Sequence, residues 1–241
     1  MGRHSFTLRG EQHPGHRSVA GGLARAAVFG ISDGLVSNVS LVIGFAGSGV
    51  GSSLVRLAGL AGAIAGGASM AAGEWISVSA QNELVTRELE IERRELRVNT
   101  AAETHELAKM YEGHGIQPDR AAAAAADVMR QPDVALAVHA REELGVDPGV
   151  LPSAFQAAAL SLVCFLFGAI LPVIPWFVGG GNAAKITSIA IGVGAAAVVG
   201  AVIGRFAERK VAWSSIRQVL ILLVACGVTY LIGQLLDVSV S

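Results

Sequence analysis

Three side chains able to do chemistry sit in stretches that are otherwise apolar: Asp33 in GISDGLVSNVSLVIGF, and Met70 and Glu74 in GASMAAGEW. A carboxylate at the centre of a bilayer costs about 3 kcal/mol or more, so Asp33 reads as functional rather than incidental. Carboxylate and thioether together suit a borderline divalent metal such as Fe2+. Both acids could also take up protons. Glu74 follows Met70 by four residues and shares its helix face. Met70 also reads as packing filler, and Glu74 as an interfacial carboxylate turned to headgroups. Asn38 and Ser40 are further polar groups near Asp33.

A second set of ligand-type residues lies in the polar stretch 81–150. Glu88, Glu92 and Glu95 share one helix face, Glu103 and Glu106 flank His105, and His139 stands one turn from Glu142 and Glu143. Carboxylates and imidazoles projecting from facing helices are the usual construction of a divalent metal cluster. The same residues also suit a solvated helical domain whose glutamates pair with Arg93, Arg94, Arg97 and Arg141. Spacing leaves both readings open.

The elements that must position these groups are membrane helices. Of 241 residues, 52% are hydrophobic and 15% charged, where a soluble domain carries about a quarter charged. Five stretches are long enough to cross a bilayer: 23–46, 54–80, 154–178, 184–207 and 215–236. The second runs without a breaker into QNELVTRELEIERREL, which predicts one helix leaving the membrane and continuing into water. The insert reads as three or four helices, with Pro118 and Pro132 in first turns and stops at GHG 113–115 and Gly145. Pro172 and Pro175 in LPVIPW predict a kink or local unwinding in span three. Two GxxxG patterns, Gly62–Gly66 and Gly200–Gly204, permit close helix approach. Cys164 and Cys226 match no metal or redox spacing and read as packing residues.

The fold class expected is therefore an all-α membrane protein. A disordered tail occupies 1–20, spans one and two 21–80, an acidic helical metal-binding insert 81–150, and spans three to five 151–241. The tail has no signal-peptide pattern, and His4, His13 and His16 read as solvated. Fourteen of the nineteen acids fall in 81–150 against eight bases, a local balance of −6, so no basic surface for nucleic acid is expected. Loop charges orient the spans. Arg3, Arg9, Arg17 and Arg25, the eight bases of the insert, and Arg205, Arg209, Lys210 and Arg217 mark cytoplasmic sides. The N-terminus and insert are then cytoplasmic and the C-terminus outside. Arg56 and Lys185 run against this and are expected to snorkel outward.

Asp33 in its SDG, the GASMAAGEW run, the glutamate-rich insert, an ELG before span three and FGAILPVIPW within it together resemble the vacuolar iron transporter family, over nearly the whole chain from residue 20. The resemblance implies a five-span homodimer, with its path at or near the two-fold interface, that exchanges Fe2+, and often Mn2+, for protons and moves metal out of the cytoplasm. It assigns Asp33 and Met70 to the pore. Glu92, Glu95, Glu103, Glu106 and Glu143 match insert metal positions. Where better-known members carry another pore glutamate this chain has Gly62, whose role Glu74 could take over. Family methionines correspond here to His139 and Ala140, a harder ligand set that shifts preference toward Mn2+ or Zn2+.

No permanently bound cofactor is expected beyond the transported and insert-bound ion, and partners beyond metal and protons are membrane lipid and a second copy. An enzyme is not expected, since di-iron sites want Glu-x-x-His pairs and Glu103 and His105 are too close. A passive channel and a metal-sensing scaffold are the alternatives. Arginine-rich usage (15 Arg, 3 Lys) suggests a GC-rich bacterial genome, hence the cell membrane rather than a vacuole.

Overall fold

Apolar length sets the frame. The computed structural model describes residues 22–236, which are all-helical with no strand among them. The N-terminal tail, with its histidines and arginines, and Asp237 lie outside the described residues. Helices α1 (Gly22–Gly47), α2 (Ser52–Val98), α6 (Ala154–Ile170), α8 (Gly181–Phe206) and α9 (Val211–Leu236) carry the five segments long and apolar enough to cross a membrane. The third of these segments extends to Val173. All five agree with the stretches expected from hydropathy.

Helix α1 is the hub, packing on α2, α6, α8 and α9. Its Leu35, Val39 and Ile43 bury against Ala196 of α8 and Leu222 and Cys226 of α9. Val42 packs with Val55 of α2 and with Val173 and Trp176. The contact with α6 is closest. A Cβ at Gly34 would meet the Phe165 backbone, and one at Gly168 the backbone of Ile31 and Leu35. Only hydrogen fits at these two positions, and that lets the two backbones touch. Gly34 therefore serves approach, and α1 runs unbroken through it.

The LPVIPW segment unwinds as expected. Helix α6 gives way to a 3-10 turn, Leu171–Val173, and then to α7 (Pro175–Val178). Backbone groups freed this way need other partners. Ser188 Oγ donates to the Pro172 carbonyl at 2.7 Å and accepts from Trp176 Nε1 at 2.9 Å. At this end the two cations that run against the charge rule lie over aromatic faces. Arg56 sits 5.7 Å from the Phe177 ring centre and Lys185 5.2 Å from that of Tyr230.

Helix α2 is a single 47-residue rod whose C-terminal half carries the insert. On it pack α3 (Thr100–Gly113) and α5 (Pro132–Glu143), with α4 (Pro118–Met129) against both. Pro118 and Pro132 open their helices, where the missing N–H costs nothing. Gly115 and Gly145 follow α3 and α5 with φ of +88° and +65°, a conformation that favours glycine. A small core of Leu107, Ala108 and Ala125 holds the insert together. Asn82 Nδ2 ties the rod to the returning loop through the Pro152 carbonyl at 2.8 Å.

Candidate functional site

Where α1 and α2 diverge above Phe165 they leave a cavity of about 410 Å3. Its walls include Asp33, Ser37 and Asn38 from α1 and Gly62, Ser69 and Met70 from α2. Asp33 and Ser37 fall on the same face through their four-residue spacing, and Ser37 Oγ donates to the Asp33 carbonyl at 2.6 Å. Met70 packs partly against the Ala63, Phe165 and Ala169 cluster. A carboxyl and a thioether thus share one mainly apolar hollow between the spans. Asp33 is exposed on the open flank of the cavity.

Glu74 does not line this hollow. One turn nearer the insert, its Oε1 lies 3.3 Å from Arg25 Nη2 of α1. The Gly62–Gly66 pattern forms part of the cavity wall, with Gly66 over the Phe165 ring, while Gly200 and Gly204 seat the α9 residues Ser214 and Val211.

The second group forms where α5 docks across α2 and α3. Ligand atoms of Glu92, Glu103, His139 and Glu143 all lie within 4.8 Å of one another. His139, fully buried at 0% exposure, directs Nδ1 to Glu92 at 3.1 Å, Glu143 at 3.1 Å and Glu103 at 3.7 Å. One ring nitrogen cannot satisfy three carboxylates. Burial pushes the Glu92 carboxyl up to about 7, and Glu143, Glu103 and Glu106 push the same way against the pull of His139. Burial likewise raises Glu103, with Glu106 next among the causes. His139 Nε2 is buried without a hydrogen-bond partner. Three convergent carboxylates around an imidazole are a donor set that fits a divalent cation.

The remaining sequence candidates stand outside this quartet. Glu95 accepts from Asn99 Nδ2 at 2.5 Å, and Glu106 acts on the quartet only through its charge. Glu142 faces away, 3.6 Å from His114 Nε2. Glu88 pairs with its neighbour Arg87 at 3.0 Å. Among the described residues the three carboxylates pair with His139 and with no arginine. Two cavity residues, Ser69 and Asn38, carry more of the site than their sequence signals suggested. Asn38 was visible as a polar residue in a span, and Ser69 only as the neighbour of Met70.

Five apolar helices, a hollow between the spans with a carboxylate on its wall, and an acidic helical insert define a polytopic membrane protein with carboxylates gathered at two levels. The model of the VIT family matches residues 24–234, spanning both groups, and the chain belongs to that family. Vacuolar iron transporter 1 of Oryza sativa subsp. japonica is 27% identical over 219 residues, 90% of this chain and 87% of the relative. The vacuolar iron transporter of Centaurea cyanus is 26% identical over 220 residues, 91% and 90% of the two chains. That of Acanthamoeba castellanii is 35% identical over 164 residues, 68% and 59%.

Proposed function

We propose that this chain exports a divalent metal, Fe2+ with Mn2+ as a second cargo, from the cytoplasm in exchange for protons. The observation that carries the reading is the joint presence of Asp33 and Met70 on the walls of one intramembrane cavity. Relatives named as vacuolar iron transporters along most of the chain support iron as the cargo.

In this reading the insert faces the cytoplasm and its acids concentrate cations near the membrane. Glu92, Glu103, Glu143 and His139 hold the ion, and Glu95, Glu106 and Glu142 enrich its surroundings. The ion passes Glu74 and exchanges part of its hydration shell for Asp33 oxygen and Met70 sulfur. Protons from the outer side compete for the Asp33 carboxylate and release the metal outward. One carboxylate serving both ions couples the two flows without a second site. His139 biases the insert toward Mn2+ or Zn2+.

An acid on an open flank cannot face lipid. A second copy covering that flank would enclose a water-filled path, which supports a homodimer. The cell membrane is the proposed address, and family membership supports a transporter rather than an enzyme.

The test is metal entry into liposomes containing the purified protein, with and without an inside-acid gradient, beside Asp33→Ala. Gradient-driven Fe2+ and Mn2+ entry with lumenal alkalinisation, lost in the variant, is expected. Flux indifferent to pH would make the protein a channel, and no flux with metal still bound would make it a scaffold or sensor.

A further inference from the structure

Asn38 is 2% exposed, and its amide group is fully constrained. Its two N–H bonds go to carbonyls on two different helices, Gly59 of α2 at 3.1 Å and Ala169 of α6 at 2.5 Å. The second of these carbonyls lies in the last turn of α6, where helical partners run out. Rotating the amide would set its oxygen against both carbonyls, so the orientation is settled by the partners. That leaves Oδ1 as an acceptor, buried and without any hydrogen-bond partner. It sits over Gly62: a Cβ there would lie 2.9 Å from it. Asn38 is among the residues lining the hollow with Asp33 and Met70, and the Leu41 side chain lies against Gly62 beside this oxygen, so a cation would reach Oδ1 by displacing Leu41.

An unpaired buried acceptor is costly, and a cation shedding water is the partner such an oxygen suits best. We propose that Asn38 Oδ1 is a metal ligand of the intramembrane cavity and sets its preference among divalent cations. This rests on the transport reading above. Unlike Asp33, an amide oxygen holds no exchangeable proton, so it adds coordination without adding a proton to the exchange. A carbonyl oxygen beside a thioether pulls the site toward oxygen-preferring Mn2+ and away from soft Cd2+.

The experiment compares Mn2+ and Cd2+ entry into liposomes for wild type, Asn38→Leu and Asn38→Asp, with thermal unfolding and size-exclusion profiles of each variant. Both variants lose the two N–H bonds, and an Asp carboxylate also repels the two carbonyls, so a purely structural tie would weaken Asn38→Asp at least as much as Asn38→Leu and leave the metal ratio unchanged. The expected result is a fall in the Mn2+/Cd2+ kcat/KM ratio of about tenfold in Asn38→Leu, with Asn38→Asp at or above wild type. An unchanged ratio in folded Asn38→Leu overturns the inference. Should that variant not fold, a ratio below that of wild type in Asn38→Asp overturns it instead. Wild-type vesicles that move neither metal overturn the transport reading and this inference together. Intact wild-type transport that is abolished by Asp33→Ala, with an unchanged ratio in folded Asn38→Leu, overturns this inference alone.

Discussion

Arg25 of α1 and Glu74 of α2 meet at 3.3 Å, tying the two helices together one turn nearer the insert than Met70. In the transport reading proposed above, an ion moving from the insert to Asp33 would pass this pair. The arginine side chain is 72% exposed and the glutamate 16%, so the pair contributes little to stability.

Replacing Arg25 by Gln frees the Glu74 carboxylate to attract cations. The apparent KM for Mn2+ in liposomes should fall by about threefold, the size expected of a solvent-screened ion pair. Glu74→Gln should raise it by a similar factor. Thermal unfolding of both variants should stay close to wild type.

The Glu92 carboxyl, raised from 4.5 to about 7, makes the insert respond to pH in two opposed ways. Without metal, the folded state holds a proton that the unfolded chain has released. Stability therefore falls as pH rises from 4.5 through 7. Metal binding requires that proton to leave, so affinity rises across the same window. Unfolding temperatures of the detergent-solubilised chain at pH 5, 6, 7 and 8 should decrease in EDTA. The increment given by Mn2+ should grow from low to high pH.

His139 is the one cluster ligand that is not an acid. His139→Ala should lower Mn2+ and Zn2+ affinity by about tenfold or more in calorimetry, while Asp33→Ala leaves that binding intact. His139→Met should shift relative affinity from Mn2+ toward Cd2+, since a thioether is the softer ligand.

The α1–α6 contact tolerates no added carbon. Gly34→Ala and Gly168→Ala should each destabilise the fold by about 1–3 kcal/mol through overpacking against backbone. Thermal unfolding checks this. Gly73→Ala, where a Cβ meets nothing within 4 Å, is the control.

The spans, the long α2 rod and the unwound LPVIPW segment could be read from the sequence, because apolar length and the position of proline decide them locally. The convergence of Glu92, Glu103, His139 and Glu143 could not. It depends on the angle at which α5 crosses α2, and no residue spacing encodes that angle. The same limit applies to Glu74. Its four-residue step from Met70 does not bring it to the hollow, because its partner, Arg25, belongs to α1. Asn38 shows the reverse case. Its polarity was plain in the sequence, whereas the two carbonyls that consume its donors come from residues 21 and 131 positions away.

Helix α2 has no interruption between Met70 and Glu92. Twenty-two residues separate them, about 33 Å along the axis, and their directions differ by only about 40° around it. Cluster and cavity are thus carried on one continuous helix. Were the rod to turn as a unit, Glu92 in the insert and the Met70 sulfur would turn together.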